Sequence, residues 1–221
     1  MDFFERIVSL IAPHNCTLCG LEGSVLCDQC QGRAIRVKRP VCYRCNRLAP
    51  FGATCLSCLA VTDLSGVSVA AYYGGAIQEL LDLLKYERAR SAAVALAVLM
   101  EPHLNADDFD VVTAVPADTG YRQRGNHHPE LIGRAMARQL GVPYVDTLLR
   151  VKAAHQTSSQ RGGRLLPIKE AFILHRELFI RDARILLVAD VITNGATLAE
   201  CAAVLKNAGA KRIWGAVAAK R

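Results

Sequence analysis

RILLVADVITNGATL, residues 184–198, is an apolar run that leads into a polar, glycine-containing loop. Arg184 to Val188 is typical of a buried strand, and Thr197 to Gly209 has the spacing of a helix. Ligands of open parallel sheets bind beyond the carboxyl ends of the strands, and the amides at a helix start favour phosphate. The stretch predicts a strand, an anion-binding loop and a helix, although an ordinary turn between strand and helix would show the same pattern.

Five consecutive residues form the candidate phosphate loop, namely Thr193, Asn194, Gly195, Ala196 and Thr197. Gly195 lets the backbone approach an anion closely. The hydroxyls of Thr193 and Thr197 can donate hydrogen bonds to it. Asp190, at the end of the predicted strand, would face the sugar hydroxyls of a phosphorylated ribose and is the candidate catalytic residue.

Strands and helices alternate through the rest of the chain after about residue 66. Strands are predicted at 67–73, 110–115 and 212–218, and helices at 76–87, 91–103 and 130–140. This alternation predicts an α/β fold, a mostly parallel sheet flanked by helices on both faces. We assign residues 66–221 to this domain.

Eight of the nine cysteines lie between residues 16 and 58 as four C-x-x-C pairs. Two cysteines at this spacing can present both sulfurs to one tetrahedral ion, and a second pair completes the shell. Sulfur ligands favour zinc or an iron–sulfur cluster. The short, similar gaps favour two closed structural Zn²⁺ sites, with disulfides as the alternative. The pairs could combine in sequence or interleave. The candidate ligands are Cys16, Cys19, Cys27, Cys30, Cys42, Cys45, Cys55 and Cys58; Cys201 is expected to be a buried helix residue.

The N-terminal region, residues 1–62, has too little periodic apolar pattern to fold without metal. Its first twelve residues predict a short amphipathic helix. No apolar run reaches the ~18 residues of a membrane-spanning helix, and Asp2 and Glu5 stand where a secretory signal would be basic. These features predict a cytoplasmic protein with no membrane span.

The formal net charge of +7 raises the question of nucleic-acid binding. Eight thiolates around two Zn²⁺ ions would bring the net charge to about +3. The basic residues between the cysteine pairs could compensate these anionic centres locally or contact nucleic acid. They are Arg33, Arg36, Lys38, Arg39, Arg44 and Arg47.

Residues 184–198 resemble the phosphoribosyl pyrophosphate (PRPP) motif of type I phosphoribosyltransferases, in which two acidic residues and a Thr-Thr-Gly-x-Thr loop follow an apolar strand. The wider sequence resembles the ComF family, also called ComFC or GntX-like, whose members join a double zinc ribbon to this domain. The resemblance covers nearly the whole chain. Besides the cysteines, it is carried by Tyr73-Gly74 with Leu84-Lys85-Tyr86, by Val115-Pro116 with Arg122, Arg124 and Gly125, and by Arg150, Gln156 and Arg164 with Ala171-Phe172.

The motif departs from the family pattern at several positions. Ala189 stands where the family usually has the first of two acids, and Asn194 replaces the second threonine of Thr-Thr-Gly. Pro167 replaces an Asn, and Asn126-His127-His128 replaces an aromatic-Asn-Gln sequence. Loss of one charge-assisted hydrogen bond costs about 1.5–3 kcal/mol, or roughly ten- to a hundredfold in affinity. The change at Ala189 therefore weakens a PRPP site without abolishing it.

The resemblance implies binding of PRPP or a related sugar phosphate or nucleotide, with Mg²⁺, and a role in natural competence. An active enzyme would displace pyrophosphate from C1 of PRPP, which needs basic side chains at the leaving group. The candidate anion-binding residues are Lys85, Arg122, Arg124, Gln156 and Arg164, although each arginine of the Arg122/Arg124 pair could also be an ordinary surface residue.

Three functions remain open at this point. The first is a sugar-phosphate-binding protein with weakened or absent catalysis. The second is an active phosphoribosyltransferase acting on an unidentified base or amine. The third is an adaptor whose zinc ribbons bind single-stranded DNA or proteins of the competence machinery.

Overall fold

The computed structural model describes residues 15–37, 39–87, 90–117, 128–151, 171–175 and 180–221. The helix predicted at residues 1–12 lies outside these ranges. Within them, none of the helices combines the length and apolar character that crossing a bilayer requires.

The described residues contain six strands. In chain order they are β1 (Gly66–Tyr72), β2 (Val111–Ala114), β3 (Leu148–Val151), β4 (Ala171–Leu174), β5 (Arg184–Ile192) and β6 (Arg212–Lys220). Four of them form a parallel sheet in the order β1-β6-β5-β2, and β3 and β4 pair antiparallel beside it. The predicted α/β fold with a mostly parallel sheet is confirmed.

Within these same ranges there are six α-helices, namely α1 (Asp28–Gly32), α2 (Leu56–Leu59), α3 (Gly75–Asp82), α4 (Arg90–Met100), α5 (His128–Leu140) and α6 (Ala196–Asn207). Helix α3 continues as a π-helical turn over Leu83–Glu87, and α4 ends in a 3-10 turn over Glu101–His103. The helices predicted at 76–87 and 91–103 are thus each a helix plus one turn of different geometry.

The sheet is covered on both faces because successive strand residues point to opposite sides. On one face, Leu186 and Val188 pack with the apolar sides of α3, α4 and α5. On the other face, Ile185 and Leu187 pack with α6 and the β3–β4 pair. Cys201 of α6 is fully buried in this second core, and burial raises the pKa of its thiol. The prediction of a buried helix cysteine is confirmed.

The N-terminal region packs along the outer edge of β1. The Tyr72 amide donates to the Ile35 carbonyl over 2.7 Å, and the Thr54 amide donates to the Ser65 carbonyl over 2.9 Å. Arg33 also forms an ion pair with Glu79 of α3. These contacts join the cysteine-rich region to the sheet at both ends of β1.

Candidate ligand-binding cleft and metal clusters

A cleft of about 710 Å³ opens at the carboxyl end of β5. All five residues of the predicted phosphate loop line it, together with Ala189 and Asp190. Val115 and Pro116, which follow β2, form another part of its wall. The cleft is open beyond β5, the position that the sequence predicts for an anion site.

The loop turns sharply into α6 at Gly195. This residue has a left-handed backbone with φ of 76° and is the N-cap of α6. The Asn194 side-chain carbonyl accepts a hydrogen bond from the Ala196 amide over 3.1 Å. Asn194 therefore provides a partner for one of the amides at the start of α6, which have none within the helix.

Asp190 and Lys85 face each other across the cleft. The Lys85 Nζ lies 3.7 Å from Asp190 Oδ2, and both side chains are about a quarter exposed. The Val191 amide donates to Asp190 Oδ1 over 2.8 Å, which fixes the carboxylate. Lys85 comes from the π-helical turn after α3, so two distant parts of the chain supply this pair.

The described lining of the cleft carries more positive than negative charge. Asp190 is its one acid, whereas Lys85 and Arg150 are cationic. Arg150 lies with its guanidinium carbon 5.7 Å from the centroid of the Phe172 ring. An anionic ligand is therefore electrostatically favoured over a cationic one.

Ala189 lines the cleft yet is only 5% exposed and packs in the core under α6. The family acid that it replaces would lie beside Asp190, where it would add a second negative charge. With alanine at this position, Asp190 is the one carboxylate in the described lining of the cleft.

The structure brings several predicted site residues together and leaves others outside its described ranges. Lys85, Asp190 and the loop over 193–197 share the cleft. The candidates Arg122, Arg124, Gln156 and Arg164 lie outside the described residues, as do Lys38, Pro167 and the residues Asn126 and His127. Arg150 and His128 also line the cleft, although sequence reasoning did not assign them to the site; their place in motifs shared with the ComF family was the available signal.

The eight N-terminal cysteines form two compact clusters. The first cluster is Cys16, Cys19, Cys27 and Cys30, and the second cluster is Cys42, Cys45, Cys55 and Cys58. In each cluster, all four sulfur atoms lie within 4.8 Å of one another. The pairs therefore combine in sequence rather than interleaving, which the spacing alone left open.

The sulfur spacing fits a tetrahedral metal shell and does not fit disulfides. Cys19 Sγ lies 3.7 Å from Cys27 Sγ, and Cys45 Sγ lies 3.6 Å from Cys55 Sγ. Four thiolates at 2.3 Å from a Zn²⁺ ion are about 3.8 Å apart, whereas disulfide sulfurs are about 2.05 Å apart. All nine cysteines are free thiols. A bound ion would give this small region the cross-link that it needs to fold.

The thiols of each cluster have opposing pKa shifts. Burial disfavours the Cys16 thiolate, but hydrogen bonds from backbone amides outweigh burial and lower the pKa of Cys16 to about 6. A hydrogen bond from Ser57 lowers the pKa of Cys55 to about 6. Burial and the neighbouring sulfurs raise the pKa of Cys30 and of Cys58 to about 12. A divalent cation would stabilise all four thiolates together.

Comparison with known proteins supports this architecture. A family model described as "Phosphoribosyl transferase domain" matches residues 130–221. DNA utilization protein YhgH of Salmonella typhimurium is 30% identical over 226 residues, which cover 93% of this chain and 97% of that protein. The chain belongs to the ComF-like family that includes YhgH.

Two further proteins are similar to this chain. DNA utilization protein YhgH of Escherichia coli K12 is 26% identical over 223 residues, 93% of this chain and 97% of that protein. Purine phosphoribosyltransferase from Pyrococcus horikoshii is 20% identical, covering 57% of this chain and 71% of that chain with a TM-score of 0.38. In this ComF-like chain, the matched domain includes the loop, β5, α6 and β6, and the two cysteine clusters fit the double zinc ribbon of the family.

Proposed function

We propose that the cleft beyond β5 binds PRPP or a related sugar phosphate or nucleotide, with weakened or absent catalysis. The role would lie in the cytoplasmic handling of imported DNA during natural competence. The observation that carries this proposal is the open loop over 193–197 at the start of α6, with Asp190 and Lys85 beside it.

Different residues of the cleft would bind the two ends of such a ligand. Amides of the loop and the positive end of α6 would hold the 5-phosphate. Asp190 would accept hydrogen bonds from the ribose hydroxyls. Lys85 and Arg150 would offset negative charge, and we propose that Arg122, Arg124, Gln156 and Arg164 add further contacts to the pyrophosphate.

Weak catalysis is proposed on two observations. Ala189 removes one carboxylate from beside Asp190, and the Asn194 side chain occupies the Ala196 amide. An active transferase is the alternative. Release of pyrophosphate from PRPP with a panel of bases and amines distinguishes the two, because an active transferase turns over PRPP many times with its acceptor, whereas a protein with weakened or absent catalysis releases little or no pyrophosphate.

Replacing Asp190 with alanine is expected to weaken PRPP binding. The change deletes the carboxylate that would contact the ribose and leaves Lys85 without its described partner. Loss of a charged hydrogen-bonding group is expected to weaken binding roughly ten- to a hundredfold. Titration calorimetry of metal-replete protein with PRPP and Mg²⁺ measures this loss.

The matched control is Asp63→Ala, which deletes a carboxylate from an exposed position in the segment before β1. It is expected to bind PRPP as the unchanged protein does. Absence of heat from the unchanged protein at millimolar PRPP would contradict the proposed ligand, and equal losses in both variants would contradict the role of Asp190.

A second proposed function is binding of single-stranded DNA by the N-terminal region. Arg44 and Arg47 are exposed next to the second cluster, and Leu48, Phe51 and Leu56 in the same region are at least 67% exposed. Basic side chains with an exposed aromatic ring are typical of single-strand binding surfaces. The relatives that are named DNA utilization proteins support this proposal.

The double change Arg44→Gln/Arg47→Gln is expected to make DNA binding less sensitive to salt. If each arginine contacts one phosphate, the slope of log K against log salt concentration falls in magnitude by about 1.4. Fluorescence anisotropy with a labelled oligothymidine at several salt concentrations measures the slope. Arg138→Gln, at an exposed position of α5, is the control and should leave the slope unchanged. A flat response of the unchanged protein would instead favour a protein-binding adaptor.

A further inference from the structure

The phosphate loop rests against a side chain from the metal-binding region. A Cβ atom placed on Gly195 would come within 2.6 Å of Tyr43 Cδ2 and 2.7 Å of Tyr43 Cε2. The ring therefore lies directly against the Cα of the residue at which the loop turns into α6. Tyr43 follows Cys42, the first ligand of the second cluster, so one peptide bond separates a predicted metal ligand from the support of the loop.

Tyr43 is held firmly from the other side. Its hydroxyl lies 2.7 Å from Thr62 Oγ1, and the Leu64 amide donates to the same threonine oxygen over 3.4 Å. The ring is 6% exposed and belongs to the core that contains Ile192 and Leu198, the residues on either side of the loop. Tyr43 therefore belongs to the same buried core as the residues at both ends of the loop.

A second contact joins the same metal cluster to the strands that carry the loop. Lys220 Nζ donates to Asn46 Oδ1 over 2.6 Å, and Asn46 follows Cys45 directly. Lys220 pairs in register with Ile192 at the end of β5, and the Arg221 amide donates to the Ile192 carbonyl over 3.1 Å. Residues that directly follow two cysteines of the second cluster thus contact β6 and the loop after β5.

The geometry points to Tyr43 as a positioning residue through which metal in the second cluster keeps the phosphate loop in its binding conformation. The cluster residues would hold the ion, and the ion would fix the turn over Cys42–Cys45 from which the Tyr43 ring projects. Gly195 is required in this arrangement both because its φ is positive and because any side chain would collide with the ring. The effect on ligand affinity rests on the proposed function, whereas the effect on loop order does not.

Hydrogen exchange of the amides over 193–199 tests the coupling without any ligand. Tyr43→Ala and Cys45→Ser are expected to speed exchange of this segment about tenfold, because the loop loses its support. Tyr43→Phe, which keeps the ring, and Cys19→Ser, the matching change in the first cluster, are expected to leave it unchanged. Metal content, measured by elemental analysis, should be unaffected in both Tyr43 variants.

Calorimetry with PRPP and Mg²⁺ gives the second measurement. If the loop is competent in about one molecule in ten, apparent affinity falls roughly tenfold. Tyr43→Ala should show this loss of affinity, and Tyr43→Phe should bind PRPP as tightly as the unchanged protein. No PRPP binding by the unchanged protein would defeat the proposed ligand while leaving the exchange result valid.

Two exchange results would overturn the inference. One is equal protection of 193–199 in all variants. The other is an equally large rise in the exchange rates of the Leu186–Val188 amides. That result would mean general unfolding of the sheet rather than release of the loop.

Discussion

Purified protein is expected to contain two zinc ions per chain, and Cys42→Ser is expected to reduce this number to one. Cys42 is fully buried within the second cluster, and a hydroxyl is a poor replacement for a zinc-bound thiolate. Apparent free energies of structural zinc sites are about 10–16 kcal/mol at neutral pH, so loss of the ion is expected to unfold the region around the second cluster. Elemental analysis and hydrogen exchange of residues 40–61 measure the two effects.

The control is Cys201→Ser, which changes the ninth cysteine, buried in α6 and far from either cluster along the chain. It should keep two zinc ions. Iron with visible absorbance, in place of zinc, would contradict the proposed metal. Full retention of two ions by Cys42→Ser would contradict the assignment of the second cluster.

Restoring the family acid with Ala189→Asp is expected to strengthen binding of PRPP and Mg²⁺ roughly ten- to a hundredfold. The new carboxylate would lie beside Asp190 and could contact a ribose hydroxyl or the metal ion. Ala189 packs against α6 but also lines the cleft, and the gain in affinity requires the new carboxylate to extend into the cleft rather than into the core. Calorimetry with and without Mg²⁺ gives the affinity and its dependence on the ion.

Ala189→Asn is the matched control because it adds nearly the same volume without charge. It is expected to give no gain. If both variants bind equally, or if Ala189→Asp binds no more tightly than the unchanged protein, the missing carboxylate is not what weakens the site.

Most of the sheet domain could be predicted from the sequence because its strands and helices have strong apolar patterns. β5 and β6 are nearly continuous apolar runs, as expected for strands buried on both faces. β3 and β4 were missed because each has only four residues and β3 is largely half-buried, which leaves no periodic signal. The sequence predicts one continuous helix over 76–87, whereas the structure has a π-helical turn over Leu83–Glu87. Apolar spacing alone cannot distinguish such a turn from the end of an α-helix.

The candidate site was predictable where a local motif carries it and unpredictable where distant residues meet. The loop over 193–197 and Asp190 are adjacent in sequence, so their shared position follows from the strand–loop–helix pattern. The 3.7 Å approach of Lys85 to Asp190 depends on the packing of α3 against the sheet. The contact of Tyr43 with Gly195 depends on how the metal-binding region docks, which no spacing in the sequence encodes.

The order of the strands constrains how this chain can assemble during synthesis. Of the strands that the structure describes, β1 is the first to be made, yet its neighbour in the sheet is β6, the last of them. The eight clustered cysteines precede β1, so both metal ions can bind while most of the domain is still untranslated. A chain stalled on the ribosome before residue 212 would therefore have a complete metal-binding region but no β6 to pair with β1. The unpaired edge of β1 would be exposed, and chaperones protect such strand edges from aggregation.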